Sequence, residues 1–273
     1  MSSNENFKVW ILSIGNELLI GRIVNTNASW LAKRLTFLGA SINRIITVPD
    51  DIYEIVEELR RGINRDDINL IITTGGLGPT YDDKTLEAVA KALNKKLILY
   101  NEELEKIKAR FTKANYPLTK EREKMAYLPE GAVALPNSVG TAPGSWIETE
   151  NKKIIVSLPG VPKEMEAIFD EVVMPKLKGV LKPLAVIECG FKSVGVPESS
   201  IAPVLEEVDK KFSGIYIKSH PLGHEIKGPI LEIKVLASAD LLENAKRKAQ
   251  GALEIVRQKT IELKGEISEE YCQ

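Results

Sequence analysis

Thr73-Thr74-Gly75-Gly76-Leu77-Gly78-Pro79-Thr80-Tyr81-Asp82-Asp83-Lys84-Thr85 is the stretch that decides the fold. Before it runs Ile68-Asn69-Leu70-Ile71-Ile72, apolar and rich in β-branched residues. After it Leu86 to Leu93 places apolar residues at helical spacing. The stretch therefore reads as a strand–loop–helix junction. Glycines at 75, 76 and 78 let a ligand approach the backbone closely, and the N–H groups that open the next helix favour an anion, phosphate above all. Asp82 and Asp83 stand in the same loop, and carboxylates beside phosphate imply a divalent cation between them. Thr80 or Asp82 is in place to cap the helix. The loop is neither a Walker A loop nor the dinucleotide fingerprint, because the residues after Gly78 and the glycine spacing differ from both.

The chain has 273 residues, 44% of them hydrophobic, enough for one large domain or two smaller ones. A net charge of −1 gives no sign of a nucleic-acid-binding surface. Cys189 and Cys272 are far apart and unpatterned, so neither a metal site nor a disulfide framework is expected and a reducing compartment is the natural reading. The polar N-terminus lacks a signal region, and no apolar run is long enough to span a bilayer. The sequence reads as a soluble cytoplasmic protein.

Outward from the junction, Phe7 to Ile14 reads as a buried first strand followed by a loop, Gly15 to Gly21. An amphipathic helix over 25–38, a strand over 41–48, a turn at Pro49-Asp50-Asp51 and a helix over 52–61 lead to the third strand. Strands and helices alternating at this rhythm imply right-handed crossovers and a parallel sheet covered on both faces. Ligands of such sheets bind at the carboxyl ends of strands, here Gly15-Asn16-Glu17, Asp50 and the central loop. A helix over 101–114, a short one near 120–127, a hairpin of 145–148 with 153–158, and a second strand-to-helix junction at Pro159-Gly160-Val161-Pro162 complete this part. Near Lys178-Gly179 the pattern changes to a small β-α-β-β-α unit: a strand over 183–191, a helix over 196–211, strands at 214–218 and 230–235, and a helix over 240–263. His220 and His224 fall in its inter-strand loop, where solvated histidines are expected.

The segments Ile14 to Gly21, Val24 to Ala28, Thr73 to Thr85, Leu128 to Ala132, Leu135 to Asn137, Val139 to Gly144 and Leu158 to Met165 closely resemble the N-terminal part of the competence/damage-inducible CinA family. The resemblance implies a three-layer α/β/α molybdopterin-binding-like domain over 1–178 with a mostly parallel sheet, followed by a small KH-like α+β domain over 179–273. It also implies a metal-dependent ADP-ribose pyrophosphatase activity and a homodimer. The family's C-terminal nicotinamide mononucleotide deamidase domain has no counterpart here, so deamidation is not expected. Val194-Gly195-Val196-Pro197-Glu198 breaks the Gly-x-x-Gly pattern of a nucleic-acid-binding KH loop, which counts against RNA.

The expected function is hydrolysis of the diphosphate of ADP-ribose or a related dinucleotide to AMP and ribose 5-phosphate. Asp83 is the expected metal ligand or water-orienting carboxylate, by analogy with the related cofactor proteins. Asp82 is a second metal ligand, Asp50 a further catalytic carboxylate and Glu17 a weaker candidate. Backbone amides of Gly75, Gly76 and Gly78 with the hydroxyls of Thr74 and Thr80 would cradle phosphate, and Gly140, Thr141 and Gly160 would line the rest of the pocket. Gly15, Asn16, Asn27, Leu77 and Asn137 join the binding set through the resembling motifs. Lys163 is either a positive charge for the pocket or an ordinary surface cation. The expected cofactor is magnesium, cobalt or nickel, with potassium as an additional cation. Two other readings use the same loops: a pterin-nucleotide binding protein of molybdenum-cofactor assembly, and a non-catalytic nucleotide-binding protein.

Overall fold

The computed structural model describes residues 7–181, 184–224 and 228–273. The chain forms two compact units; the first takes 1–36 and 40–181, and the second takes 182–273 together with Phe37–Gly39.

In the first unit, β1 (Lys8–Ile14) is buried at six of its seven positions, as expected of a strand covered on both faces. It pairs in parallel with β2 (Ser41–Val48) on one side and β3 (Leu70–Thr74) on the other. Between these strands run a helical turn α1 (Asn16–Leu19), α2 (Thr26–Phe37) and α3 (Ile52–Ile63). The sequence reading gave Gly15 to Gly21 as loop; the structure winds its start into that single turn. Asp51 caps α3, its carboxylate accepting from the amides of Tyr53 and Glu54.

After β3 come α4 (Thr85–Ala92), β4 (Leu97–Leu99), α5 (Asn101–Lys113), a short α6 (Lys120–Glu123) and β5 (Tyr127–Pro129), which pairs with β4. The last strands of this unit are β6 (Val133–Leu135), β7 (Gly144–Glu148) and β8 (Ile154–Leu158). β8 is parallel to β3, and β7 and β6 add an antiparallel edge, so the sheet order is β2-β1-β3-β8-β7-β6. The three-residue strands β4, β5 and β6 were not read from sequence, because so few residues carry no visible alternation. After β8, α7 (Pro162–Ile168) continues through a π turn into α8 (Met174–Lys178).

Trp10, Leu12 and Ile14 of β1 share a buried cluster with Ile55 and Leu59 of α3, Ala88 and Val89 of α4 and Ile107 of α5. Val9 and Ile11 alternate to the other face and are buried too. There Trp30 of α2 meets Phe169 edge-on at 5.4 Å. These are the three layers and mostly parallel sheet expected from sequence. The chain moves outward from β1 to β2, then crosses back to β3. That reversal opens a crevice beyond the carboxyl ends of β1 and β3.

The second unit contains β9 (Ala185–Val194), α9 (Glu198–Lys211), β10 (Ile215–Pro221), β11 (Ile230–Ala239), α10 (Leu242–Glu262) and β12 (Glu266–Cys272). The antiparallel order is β10-β11-β9-β12. Strict alternation of burial along β11 puts one face under the helices. The expected start of the first strand at Pro183 lies outside the described residues.

Three expectations need correction. The unit is β-α-β-β-α-β: β12 adds a strand, and the arrangement becomes that of a split βαβ motif. His220 belongs to β10, opposite Glu232 of β11, and not to a loop. Cys189 and Cys272 form a disulfide. Glu188 and Gln273 exchange backbone hydrogen bonds, which leaves the cysteines at the adjoining non-hydrogen-bonded pair, where side chains lie closest. The two cysteines were read as unrelated because the strand that joins them was not foreseen. No helix among the described residues is long and apolar enough to cross a membrane.

Candidate functional site

At the crevice lies a cavity of about 500 Å³, lined from six directions. The end of β1 gives Ile14 and Glu17, the end of β2 gives Asp50, and the loop after β3 gives Gly75 to Thr80 with Asp82 and Asp83. The segment after β6 gives Gly140 to Ala142, the end of β8 and the start of α7 give Pro159 to Val161 and Glu164, and Phe111 and Met125 supply an apolar wall.

The register of the sheet assembles this edge. Ser13 lies beside Thr74, and Thr74 beside Leu158, so three chain reversals begin at one level. Gly75 (φ +103°) leaves the strand in a conformation that L side chains rarely adopt, and a Cβ there would sit 2.2 Å from the Ile14 carbonyl oxygen. Its amide donates to the Leu158 carbonyl, and its carbonyl accepts from the Thr85 hydroxyl at 2.8 Å. The Thr74 hydroxyl donates to the Pro159 carbonyl and accepts from the Asn27 side-chain amide, which also donates to the Gly160 carbonyl at 2.9 Å. Thr74 and Asn27 are thus buried ties between α2, β3 and β8, and neither lines the cavity.

The acidic part of the loop is organised by Thr80. Its amide donates to Asp83 Oδ2 at 2.7 Å, and its hydroxyl is within bonding reach of both that oxygen (2.5 Å) and Asp82 Oδ1. A hydroxyl has one proton, so two carboxylates converge on a single donor. Thr80 foremost, with the Asp82 backbone amide and the more distant Lys124 and Lys84, keeps the Asp82 carboxyl below the usual carboxylate range, against the small effect of burial. Lys124 Nζ donates to the Thr80 carbonyl at 2.6 Å. The expected helix cap is corrected here: α4 starts at Thr85, and Thr80 and Asp82 bond each other instead. A Cβ at Gly78 would meet Asp83 Oδ2 at 2.7 Å, so an alanine there would displace the Asp83 carboxylate.

At the other wall, Asp50 accepts from the Asn16 amide at 2.8 Å. Glu17 folds back over Gly15, whose added Cβ would lie 2.4 Å from its carboxylate. Asn137 is a buried hub: Oδ1 accepts from the amides of Gly140 and Val139, and Nδ2 donates to the Ala142 carbonyl and to Glu164 Oε2 at 2.7 Å.

Of the residues singled out from sequence, Asp83, Asp82, Asp50, Glu17, Gly75, Gly76, Leu77, Gly78, Thr80, Gly140, Thr141 and Gly160 line one cavity. Gly15, Asn27, Thr74 and Asn137 lie behind it as supports, Asn16 is exposed and reaches it only through its backbone amide on Asp50, and Lys163 is exposed and outside it. Glu164, Phe111, Met125 and Lys124 were not foreseen. An acidic residue in the first turn of a helix reads as ordinary dipole pairing, which hid Glu164.

Five carboxylates line the cavity, with no Lys, Arg or His among the lining residues. No group of three or more His, Cys, Asp or Glu among the described residues forms a ready-made metal cage. Magnesium-type cations are commonly held by one or two carboxylates together with phosphate oxygens of the ligand, and the hard oxygen donors of Asp82 and Asp83 fit that mode.

Residues 10–179 match the protein family described as "probable molybdopterin binding domain". A protein of Aeropyrum pernix is 50% identical over 266 residues, covering 97% of this chain and 98% of its own length. One from Pyrobaculum aerophilum is 52% identical over 236 residues, covering 86% and 88%. Among solved structures, the protein CinA "with unknown function" from Thermoplasma acidophilum is 37% identical with a TM-score of 0.58, covering 63% of this chain and 99% of that one.

Proposed function

The chain belongs to the probable molybdopterin binding domain family, and from that premise we propose that its first unit binds a phosphorylated pterin or pterin nucleotide together with a divalent cation. The observation that carries this reading is the charge of the cavity: five carboxylates and no basic side chain. Phosphate entering alone would meet five carboxylates with no cationic side chain to offset them, whereas a cation between it and Asp82 and Asp83 turns that repulsion into attraction. When bound, the cation supplies charge neutralisation at phosphate oxygens. The chain's own groups do the rest: Thr80 fixes the two carboxylates, Gly76 and Gly78 let phosphate approach the backbone, and Phe111 and Met125 offer an apolar surface to a ring. Calorimetric titration with a pterin phosphate, with magnesium and with chelator, tests it. Binding that needs magnesium is expected; binding equally tight in chelator overturns the metal-bridged reading.

A second reading is hydrolysis of an ADP-ribose-like diphosphate, favoured by the carboxylates left over. Asp50 and Glu17 lie in the same cavity as Asp82 and Asp83 and would be available to orient water in line with a phosphorus atom. Release of AMP and ribose 5-phosphate with magnesium, cobalt or nickel, with and without potassium, and its loss in Asp83→Ala, would support it. No turnover with any cation would remove it. A homodimer remains part of this proposal, to be checked by solution mass.

A further inference from the structure

We propose that Glu164 is the residue that selects the ring of the ligand: its carboxylate reads a donor–donor edge, two adjacent N–H groups such as the 2-amino and ring N–H of a 2-amino-4-oxo heterocycle. Pterins and guanine carry that edge and adenine does not. The inference rests on the cavity being a phosphorylated-ligand site, as proposed above, and adds which base the site accepts.

The support is how Glu164 is held. It projects from the first turn of α7 into the cavity wall, away from the central loop in sequence but in the same cavity as Asp82 and Asp83. Asn137 Nδ2 donates to Oε2 at 2.7 Å, and Asn137 is itself buried and bonded through both ends of its amide to the backbone at 139–142. Gly140 packs so closely that a Cβ would lie 2.0 Å from the Glu164 carboxyl carbon. One oxygen is therefore tied to Asn137, and the carboxylate packs against the Gly140 backbone. An ionised carboxylate only accepts, and it pairs with two parallel N–H donors far better than with adenine's mixed edge. A ligand that uses both sets of groups has a phosphate at Asp82 and Asp83 and a 2-amino-4-oxo ring at Glu164.

The test measures binding of GDP, ADP, 6-hydroxymethylpterin phosphate and pyrophosphate, each with magnesium, to wild type and Glu164→Gln. Glutamine keeps an acceptor for Asn137 and presents an N–H₂ where a lone pair stood, so the fold is preserved; melting temperature checks this. Wild type should bind GDP and the pterin at least about 10-fold more tightly than ADP, and the variant should lose about 10- to 100-fold for those two ligands, with a clearly smaller change for pyrophosphate, which carries no ring. Equal wild-type affinity for GDP and ADP, or GDP binding untouched in a folded variant, overturns the role of Glu164 while leaving the phosphate site standing. Failure of every probe, pyrophosphate included, overturns the binding site itself and this inference with it.

Discussion

Thr80 closes the acidic loop onto Asp83: its amide and its hydroxyl both reach Asp83 Oδ2, at 2.7 and 2.5 Å. The same hydroxyl serves Asp82. The pair of carboxylates is thereby pre-set and facing the cavity. Thr80→Val keeps shape and the backbone bond but removes the hydroxyl. Groups that orient metal-binding carboxylates typically matter by about 10- to 100-fold. Magnesium affinity, read by calorimetry in the presence of pyrophosphate, should fall by that amount, with little change in melting temperature. An unchanged affinity would show that Thr80 does not position the cation's ligands.

The pH dependence follows from the sign of the Asp82 shift. Thr80 and the local amide hold its folded pKa below the unfolded value. Its ionised form, and whatever depends on it, is therefore complete above the unfolded value and is lost only as pH falls through the depressed folded value. The part of magnesium binding that depends on Asp82, read with the metal alone, should persist through the ordinary carboxylate range and decline only below it. In Thr80→Val the decline should begin at higher pH. Coincident profiles for the two proteins would mean that Asp82 does not take part.

Gly75 and Gly140 both sit where a Cβ would collide, yet alanine should act differently at each. At Gly75 the obstacle is the Ile14 backbone carbonyl and φ is +103°, so nothing nearby can yield. Gly75→Ala should cost about 3 kcal/mol of folding stability or more. At Gly140 the obstacle is the end of the Glu164 side chain, which can swing aside. Gly140→Ala should cost less than about 1 kcal/mol and still weaken GDP and pterin binding as Glu164→Gln does. Chemical denaturation and calorimetry on the two variants distinguish these outcomes; a Gly140→Ala protein with normal ring preference would argue against Glu164.

Much of this arrangement could be read from local pattern. The alternation of buried strands with amphipathic helices gives the sheet, and three glycines with two carboxylates in one loop mark the crevice. What could not be read depends on distant partners. Thr74 and Asn27 look like ligands in sequence and turn out to be ties, because only the pairing of β3 with β8 brings Pro159 and Gly160 to them. Glu164 looks like a helix-start residue until Asn137, 27 positions away, is found donating to it. β12 is charged and exposed along most of its length, with no alternation to reveal it.

That last strand carries the remaining prediction. β12 lies at the edge of its sheet; besides its ladder with β9 it is held by the Tyr271–Glu188 hydrogen bond, the packing of Ile267 on the core, two surface ion pairs, Arg257–Glu270 and Lys192–Glu269, and the Cys189–Cys272 bond. Exposed pairs of this kind contribute little, about 0–1 kcal/mol each. A crosslink across 83 residues of chain removes unfolded-state freedom equivalent to about 4–5 kcal/mol in the loop-closure description, and strain or residual structure reduces the measured value. Cys272→Ser should therefore lower unfolding stability by about 3–4 kcal/mol. Reductant should bring wild type down to the variant and leave the variant where it is. Pyrophosphate binding should not change in either case, since none of these residues lines the cavity of the first unit. Thiol titration gives the direct check: no reactive thiol in denatured, unreduced wild type and one in the variant. Two thiols in unreduced wild type would show that the crosslink does not form, and the edge strand would then depend on its backbone ladder and its side-chain contacts.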